Sequence, residues 1–469
     1  MKKLAIVLAA GQGKRMKSKL YKVMHQICGK PMIEHVVDVT EAIDCERTVV
    51  VVGHGAEAIQ AHLGNRVDYA MQAEQLGTGH AVLQAKQQLG AEEGITILLY
   101  GDTPLVRAST IETMIVTHQA EGAAATLLTV AFDDPTGYGR IIRGEDGTVE
   151  KIVEHKDCSE QEATVKEINT GTYIFDNQKL FAALAQVTND NAQGEYYITD
   201  VISIMKQAGE TVLAYRTADQ AEAAGVNDRV ALAEAEQLMR QRINQQHLLE
   251  GVTIIDPANT YIEADVTIGA DTIVHPGSYL RKGTVIGSDC IIGPQTDITA
   301  SIIGDQVHIQ YSSVEESKVD AACSIGPYAR LRPGTVLGAR CKVGNFVELK
   351  NAVVATDSKI SHLSYVGDAE VGKEVNIGCG AITVNYDGFN KQLTKIADHA
   401  FIGSNVNLIA PVHVGEAAYV VAGSTITHDV PAGDLAIARE KQVNKEGYAD
   451  KIKARAKAKK ERIQSSSDQ

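Results

Sequence analysis

The sequence predicts a chain in two main parts: an α/β domain on a mostly parallel sheet, then a parallel β-helix of six-residue repeats. Three observations carry this. Over residues 1–227, short apolar runs alternate with longer amphipathic stretches. Residues 228–250 hold a helical pattern free of Gly and Pro up to position 248. From about residue 252 to 440 the apolar period changes to six. Residues 441–469 form a last, basic segment.

In the first part, residues 4–10, 48–52, 95–100 and 124–130 are apolar and bounded by turn residues, so they read as buried strands. Residues 34–42, 79–89 and 110–120 have helical spacing and lie between them. Strand, helix and strand in alternation imply a sheet covered on both faces. Residues 228–248 then read as a connecting helix.

In the second part, Ile268, Val274, Leu280, Ile286, Ile292 and Ile298 recur every six residues. The register resumes at Val319, Ile325, Leu331, Leu337 and Val343, and again at Ile402, Leu408, Val414, Val420 and Ile426. One branched aliphatic per hexapeptide points inward and a small or turn residue follows, so three hexapeptides make a triangular coil. Periodicity does not give the hand of the coil. Residues 384–395 break the period with a polar stretch and predict a loop leaving the prism. Residues 441–469, rich in Lys, Arg and Ala, predict an exposed helix and a frayed tail.

Composition narrows the function. Aromatic residues are only 5% and Trp is absent, which suits cores of Ile, Val, Leu and Ala. A net charge of −14 argues against nonspecific binding to nucleic acid or anionic membrane, so an anionic substrate needs a local basic cluster. The seven Cys form no CxxC pair and their number is odd, which favours free thiols in a reducing compartment over a disulfide frame or zinc site. The apolar start is followed at once by Arg15, Lys17, Lys19 and Lys22, so it reads as a first strand, not a signal peptide. No apolar run is long enough for a membrane span, and a cytoplasmic location is expected.

The loop after the first strand, LAAGQGKRM at 8–16, combines two glycines with Lys14, Arg15, Lys17, Lys19 and Lys22. In an acidic protein this density fits a triphosphate cradle, although a solvated basic turn has the same composition and the Walker A spacing is missing. Asp102 ends the strand ILLYGD, where a carboxylate can hold Mg²⁺ beside phosphates or can merely cap a turn. In the repeat region, residues 332–386 gather Arg332, Glu348, Lys350, His362, Tyr365, Asn376, Asn385 and Tyr386. His362 suits the role of a base, since an ammonium must lose a proton before its nitrogen attacks a thioester. Glu348 is a candidate to orient it or to stabilise its charge. A lone surface histidine is the plainer alternative.

The motifs LAAGQGKRM, QAEQLGTGHA, YGDTPL, DPTGYGR, VEHKD, NDNAQGEYYITD and GVNDR follow in one order. NFVELK, SHLSYVGDAEVG, NIGCGAITVNYDG and AGSTITHDV come after them. Together they resemble the bacterial bifunctional N-acetylglucosamine-1-phosphate uridylyltransferase/glucosamine-1-phosphate N-acetyltransferase family, up to about residue 448. The resemblance implies a Rossmann-like α/β nucleotidyltransferase domain, a left-handed β-helix and a homotrimer. It also implies acetyl transfer from acetyl-CoA to glucosamine 1-phosphate, then uridylyl transfer from UTP, with Mg²⁺, supplying cell-wall precursors.

Carried over by position, Leu8, Ala9, Gly11, Gln72, Gly77 and Thr78 would hold the uridine, and Arg15 and Lys22 the triphosphate. Gly139, Glu154 and Asn169 would hold the sugar, and Asp102 with Asn227 the Mg²⁺. His362 would be the acetyltransferase base. Arg332 and Lys350 would hold the sugar phosphate, with Tyr365, Asn376, Asn385 and Tyr386 on the sugar or acetyl group. Cys379, Ser404, Ala422 and Arg439 would line acetyl-CoA. Three residues depart from the family pattern: Lys14 in place of Thr, Tyr21 in place of Pro, and Cys379 where Ala is common. The loss of Pro is expected to loosen the loop that aims Lys22.

Two other readings stay open on sequence alone. One is a single nucleotidyltransferase whose repeats only oligomerise or regulate; His362 with Arg332 and Lys350 speaks against it. The other is a non-enzymatic scaffold; Asp102, Asn227 and the basic loop speak against that.

Overall fold

A computed structural model describes residues 1–53 and 55–467, without the side chains of residues 466 and 467. The end of the expected tail, residues 468–469, lies outside the described residues. The chain divides into two compact units, Met1–Thr284 and Val285–Gln469.

The first unit is built on a twisted sheet. Its strands are β1 (Lys3–Ala9), β2 (Arg47–Val52), β3 (Asp68–Met71), β4 (Ile95–Tyr100), β5 (Ala125–Ala131), β6 (Arg140–Arg143), β7 (Val149–Val153), β8 (Glu167–Asp176) and β9 (Val212–Arg216). The main order is β9-β5-β8-β4-β1-β2-β3, with β6 and β7 at the side of β8. β1 runs parallel to β2 and β4, β2 to β3, and β5 to β9, while β8 runs antiparallel to β4 and β5. The expected strands are present within a residue or so at their ends.

Side-chain alternation splits this sheet into two cores. Leu4, Ile6 and Leu8 of β1 face α3 (Thr78–Gln84), α5 (Asn177–Leu184) and α6 (Asp200–Gln207). Val7 and Ala9 face α1 (Met32–Ala42), α2 (Ala56–Leu63) and α4 (Ala108–Ala120). The chain runs from β1 through β2 to β3, then crosses back to β4 on the other side of β1. The strand order reverses at β1/β4, and a crevice opens at their carboxyl ends.

The predicted connecting helix is α7 (Arg229–Leu249), with the Asp228 carboxylate accepting from the Val230 and Ala231 amides at its start. It packs inside the first unit: Leu232, Ala235, Leu238 and Ile243 lie against Ile27, Met32 and Leu105. Asn244 Nδ2 donates to the carbonyls of Pro257 (2.8 Å) and Thr260 (3.1 Å), tying the helix to the first coil.

The repeats are short parallel strands stacked coil on coil, a left-handed β-helix. In the first unit Thr253–Ile254 pairs with Ile273–Val274, and Tyr261–Ile262 with Tyr279–Leu280. In the second unit the ladders run from Val285–Ile286 to Leu435–Ala436. The apolar register does not lapse where the six-residue count fails. Ile303, Ile309, Val314 and Val319 are all buried, as are Leu349, Val354, Ile360, Val366 and Val371. A five-residue step at one corner keeps the inward residue in line, so the spacing alone misses it. The insertion breaks the pattern as expected: Asn376 pairs with Phe401, not with a residue one ordinary coil further on. The second unit ends in α8 (Tyr448–Ser467), whose described side chains are all exposed.

Candidate active sites

The crevice at β1/β4 contains a cavity of about 260 Å³ lined by Leu8, Ala9, Gly11, Lys22, Gln72, Gly77, Thr78 and Asp102. Eight residues singled out by sequence therefore share one wall. Ala10, Val23, Gln75, Ala81, Tyr100 and Glu195 complete it and were not singled out. Two glycines are required by geometry. Gly13 has φ +60°, and a Cβ there would lie 2.6 Å from the Lys22 Cβ, so only Gly lets the loop cross Lys22. Gly77 has φ +112°, and a Cβ would meet the Tyr196 carbonyl at 2.5 Å. Gln72 Nε2 donates to the Gly77 carbonyl at 3.1 Å and holds that turn.

The polar end of the crevice is a cluster of four groups. The Lys22 ammonium pairs with Asp102 and donates to Asn227 Oδ1 at 3.0 Å. Arg15 Nη2 donates to the same Asn227 oxygen at 2.9 Å. Asn227 arrives from a distant loop because the Val226 amide donates to the Asp102 carbonyl at 2.9 Å. Of the five loop cations only Arg15 and Lys22 converge here, while Lys14, Lys17 and Lys19 are exposed. Tyr21 has φ −58°, the value a proline ring would impose, so this departure leaves that torsion as proline would set it.

Gly139, Glu154 and Asn169 form a second group. A Cβ on Gly139 would lie 3.6 Å from both the Asn169 Cβ and Glu154 Oε1. Asn169 sits at a bulge in β8, donates to the Tyr173 hydroxyl at 2.6 Å and accepts from the Gly171 amide at 3.2 Å. Thr199, missed in the sequence reading, donates to Glu154 Oε1 at 3.2 Å. Burial raises the Glu154 carboxyl above its usual range, with Asp157, Asp200 and Glu195 adding to the rise against the Thr199 hydrogen bond. Tyr100 bridges the two groups: it lines the cavity, shares a hydrogen bond with Thr78 and feels the Glu154 charge. The crevice thus has a cationic end and a carboxylate-rich end.

In the second unit, polar groups stand on successive coils. Arg332 Nη1 pairs with Glu348 Oε1 at 2.7 Å. Lys350 is opposite Gly367, and the Tyr365 hydroxyl fills the space a Gly367 side chain would need, 2.3 Å from the ideal Cβ. Lys391 of the inserted loop, not singled out by sequence, lies against Lys350; its hydrogen-bonding contact and its charge, and further off the charge of Arg332, lower the Lys350 amine. Three cations thus gather on one face. Asn385 and Asn351 both donate to the buried carboxylate of Asp368, which anchors the loop. Tyr386 turns its hydroxyl back onto the Gly388 carbonyl.

His362 and Asn376 belong to the ladder of a different prism face from Glu348 and Lys350. The expectation that Glu348 orients His362 is corrected: Glu348 is engaged by Arg332, and the ring faces Asn345, its register partner, with Nδ1 2.9 Å from Asn345 Oδ1. With an oxygen partner at Nδ1, the neutral ring carries its hydrogen there and leaves Nε2 with a lone pair. Cys379, Ser404 and Ala422 stack at one corner: the Asn405 amide donates to the Cys379 carbonyl (2.7 Å) and the Gly423 amide to the Ser404 carbonyl (2.8 Å). Arg439 lies beside Gly423, and all four side chains are exposed.

A mostly parallel sheet with its crevice at the strand reversal, and a separate hexapeptide prism, define a nucleotidyltransferase joined to an acyltransferase. The nucleotidyl transferase family matches residues 4–222, and the hexapeptide repeat of succinyl-transferase matches residues 260–294 and 394–428. The chain is 58% identical over 453 residues to the bifunctional protein GlmU of Brevibacillus brevis, covering 97% of this chain and 98% of that one. It is 59% identical over 451 residues to that of Bacillus velezensis (96% and 99%) and 57% identical over 448 residues to that of an Exiguobacterium species (96% and 99%). The chain belongs to this family of bifunctional enzymes. It makes UDP-N-acetylglucosamine by acetyl transfer to glucosamine 1-phosphate followed by uridylyl transfer to the product.

Proposed function

We propose that the two reactions are carried out at the two clusters just described, with UTP and acetyl-CoA as co-substrates. The observation that carries this reading is the convergence of Arg15, Lys22, Asp102 and Asn227 on one end of the β1/β4 crevice. Uridine occupies the wall formed by Leu8, Ala9, Gly11, Gln72, Gly77 and Thr78, with its phosphates at Arg15 and Lys22. Gly139, Glu154 and Asn169 receive the sugar hydroxyls. The carboxylate-rich end repels the sugar's own phosphate and directs it toward the cations. A phosphate oxygen of N-acetylglucosamine 1-phosphate then bonds to the α-phosphorus as the α–β bridging bond breaks and pyrophosphate leaves.

Asp102 and Asn227 offer two hard oxygens that already share one cationic group, which suits Mg²⁺, an ion that takes few protein ligands and completes its shell with phosphate and water. Bound there with UTP, it would neutralise charge developing on the phosphates. A triphosphate competes for the same Lys22 ammonium and so releases both oxygens.

At the prism, Arg332, Lys350 and Lys391 hold the phosphate of glucosamine 1-phosphate, and Tyr365, Asn376, Asn385 and Tyr386 surround the sugar and the acetyl group. The exposed corner of Cys379, Ser404, Ala422 and Arg439 lines acetyl-CoA. His362 Nε2 takes a proton from the substrate ammonium; the freed nitrogen attacks the thioester carbon, and the CoA thiolate leaves and is protonated. The cluster is open within one chain, and Tyr328 (56%), Phe346 (58%) and Leu363 (59%) stand exposed next to it, which supports a homotrimer with sites between prisms. Functional segments are 1–227, 228–250, 251–440 and 441–469, and the location is cytoplasmic. No helix among the described residues is long and apolar enough to cross a membrane.

The test is to offer glucosamine 1-phosphate, acetyl-CoA, UTP and Mg²⁺ to the purified protein. UDP-N-acetylglucosamine and pyrophosphate are expected in equal amounts. Formation of UDP-glucosamine, or of no sugar nucleotide, contradicts the assignment.

A further inference from the structure

Among the largest fully buried side chains of the described residues is a cation, Arg140, with 1% of its surface exposed. Its partners are not carboxylates. Nη1 donates to the Tyr138 carbonyl, Nη2 lies 3.4 Å from the His155 ring nitrogen Nδ1, and Nε is buried with no partner among the described residues. Asp134 acts on it only through space, and no carboxylate pairs with it directly. A buried guanidinium without a direct ion pair and with an unmade hydrogen bond is costly, and an apolar side chain of similar volume is often as stable or more so. Packing therefore does not explain it.

Its two contacts fall on particular places. Tyr138 immediately precedes Gly139, and His155 immediately follows Glu154. Arg140 opens β6, where it pairs with Val153 at the end of β7 and with Ile168 of β8, while the Gly139 carbonyl accepts from the Asn169 amide at 2.9 Å. The backbone ladder thus fixes Gly139 to Asn169. The Arg140 fork fixes the turn carrying Gly139 to the turn carrying Glu154, and both turns border exposed segments. A planar fork spans two acceptors in different directions, which a lysine ammonium on a flexible stem does not reproduce.

We infer that Arg140 is a positioning residue of the uridylyltransferase: it clamps the 138–139 and 154–155 turns together and so sets the width of the sugar subsite. The inference rests on the assignment of Gly139, Glu154 and Asn169 to the sugar. Arg140 touches neither the sugar nor the reacting phosphates. Its effect therefore falls on affinity for the sugar phosphate and not on the handling of UTP.

The experiment is steady-state uridylyl transfer by full-length Arg140→Met, Arg140→Lys and His155→Ala, with KM for each substrate, kcat and the thermal unfolding midpoint. For Arg140→Met, KM for N-acetylglucosamine 1-phosphate should rise about tenfold or more, since small misplacements of binding groups are costly. KM for UTP should stay within about twofold and the unfolding midpoint should not fall. Arg140→Lys should restore part of the affinity, and His155→Ala, which removes one arm, should give an intermediate rise. An unchanged KM for the sugar phosphate overturns the inference. So does a parallel loss in both KM values, kcat and the midpoint, which marks a structural role. If Arg140→Met does not fold, Arg140→Lys and His155→Ala decide: a selective rise supports the clamp and none refutes it. Wild type failing to use N-acetylglucosamine 1-phosphate sinks the functional reading itself; active wild type with indifferent variants sinks only the role of Arg140.

Discussion

The two clusters proposed to hold a sugar phosphate are built in opposite ways. The sheet crevice is enclosed: it gathers loops from Gly11 to Asn227, far apart in sequence, around a cavity with a cationic and an acidic end. The prism face is open: its residues stand on neighbouring rungs, and His362, Cys379 and Arg439 are exposed. The crevice derives its precision from loop-to-loop hydrogen bonds, so it is sensitive to changes away from the substrate. The prism derives it from a rigid ladder, so the chemistry proposed there depends on a few side chains and on what covers the face.

The largest effects should separate the sites. Asp102→Ala should lower Mg²⁺-dependent uridylyl transfer by about a thousandfold while leaving acetyl transfer within about twofold. His362→Ala should do the reverse, with acetyl transfer reduced about a hundredfold to ten-thousandfold. Separate assays of pyrophosphate and free CoA thiol check both, and loss of both activities in either variant breaks the contrast.

Asn345→Ala should be the next largest. Without the oxygen that selects the Nδ1–H tautomer, acetyl transfer should fall about tenfold to a hundredfold, mostly in kcat. Lys391→Ala should instead raise KM for glucosamine 1-phosphate by about tenfold, the scale of one lost charged hydrogen bond. A kcat effect without a KM effect would remove Lys391 from the phosphate.

The smallest effect tests the enclosed character of the crevice. Glu154 has a folded-state pKa above its unfolded value, so ionising it costs stability, and this cost grows as pH rises from the unfolded toward the folded pKa. Glu154→Gln removes the cost at neutral pH. It should raise the unfolding midpoint by about 2 °C, most clearly above neutrality and not at pH 4, while sugar-phosphate affinity falls. A lower midpoint at pH 8 shows that the carboxylate is stabilised, not strained.

Much of this was legible in the sequence because its signals were local or periodic. The apolar runs located the strands, and the six-residue spacing located the prism. The register between Ile298 and Val319 was not legible, since one-residue deletions at corners leave the inward residue in place but break the count. Residues of the crevice were legible as short ordered motifs. Thr199 and Lys391 were missed because only the fold brings them to Glu154 and Lys350. The orienting role given to Glu348 failed for a related reason. It is close to His362 in sequence, but strand register pairs the histidine with Asn345. Arg140 gave no signal at all: an arginine after GYG looks solvated until its burial is seen.

The most direct measurement mixes two defective proteins. Asp102→Ala and His362→Ala should each fail to make UDP-N-acetylglucosamine from glucosamine 1-phosphate, acetyl-CoA and UTP. Combined in one tube they should make it after a lag, because the first supplies acetylated sugar phosphate and the second consumes it. A mixture as inactive as its parts would contradict two self-sufficient sites linked by a free intermediate.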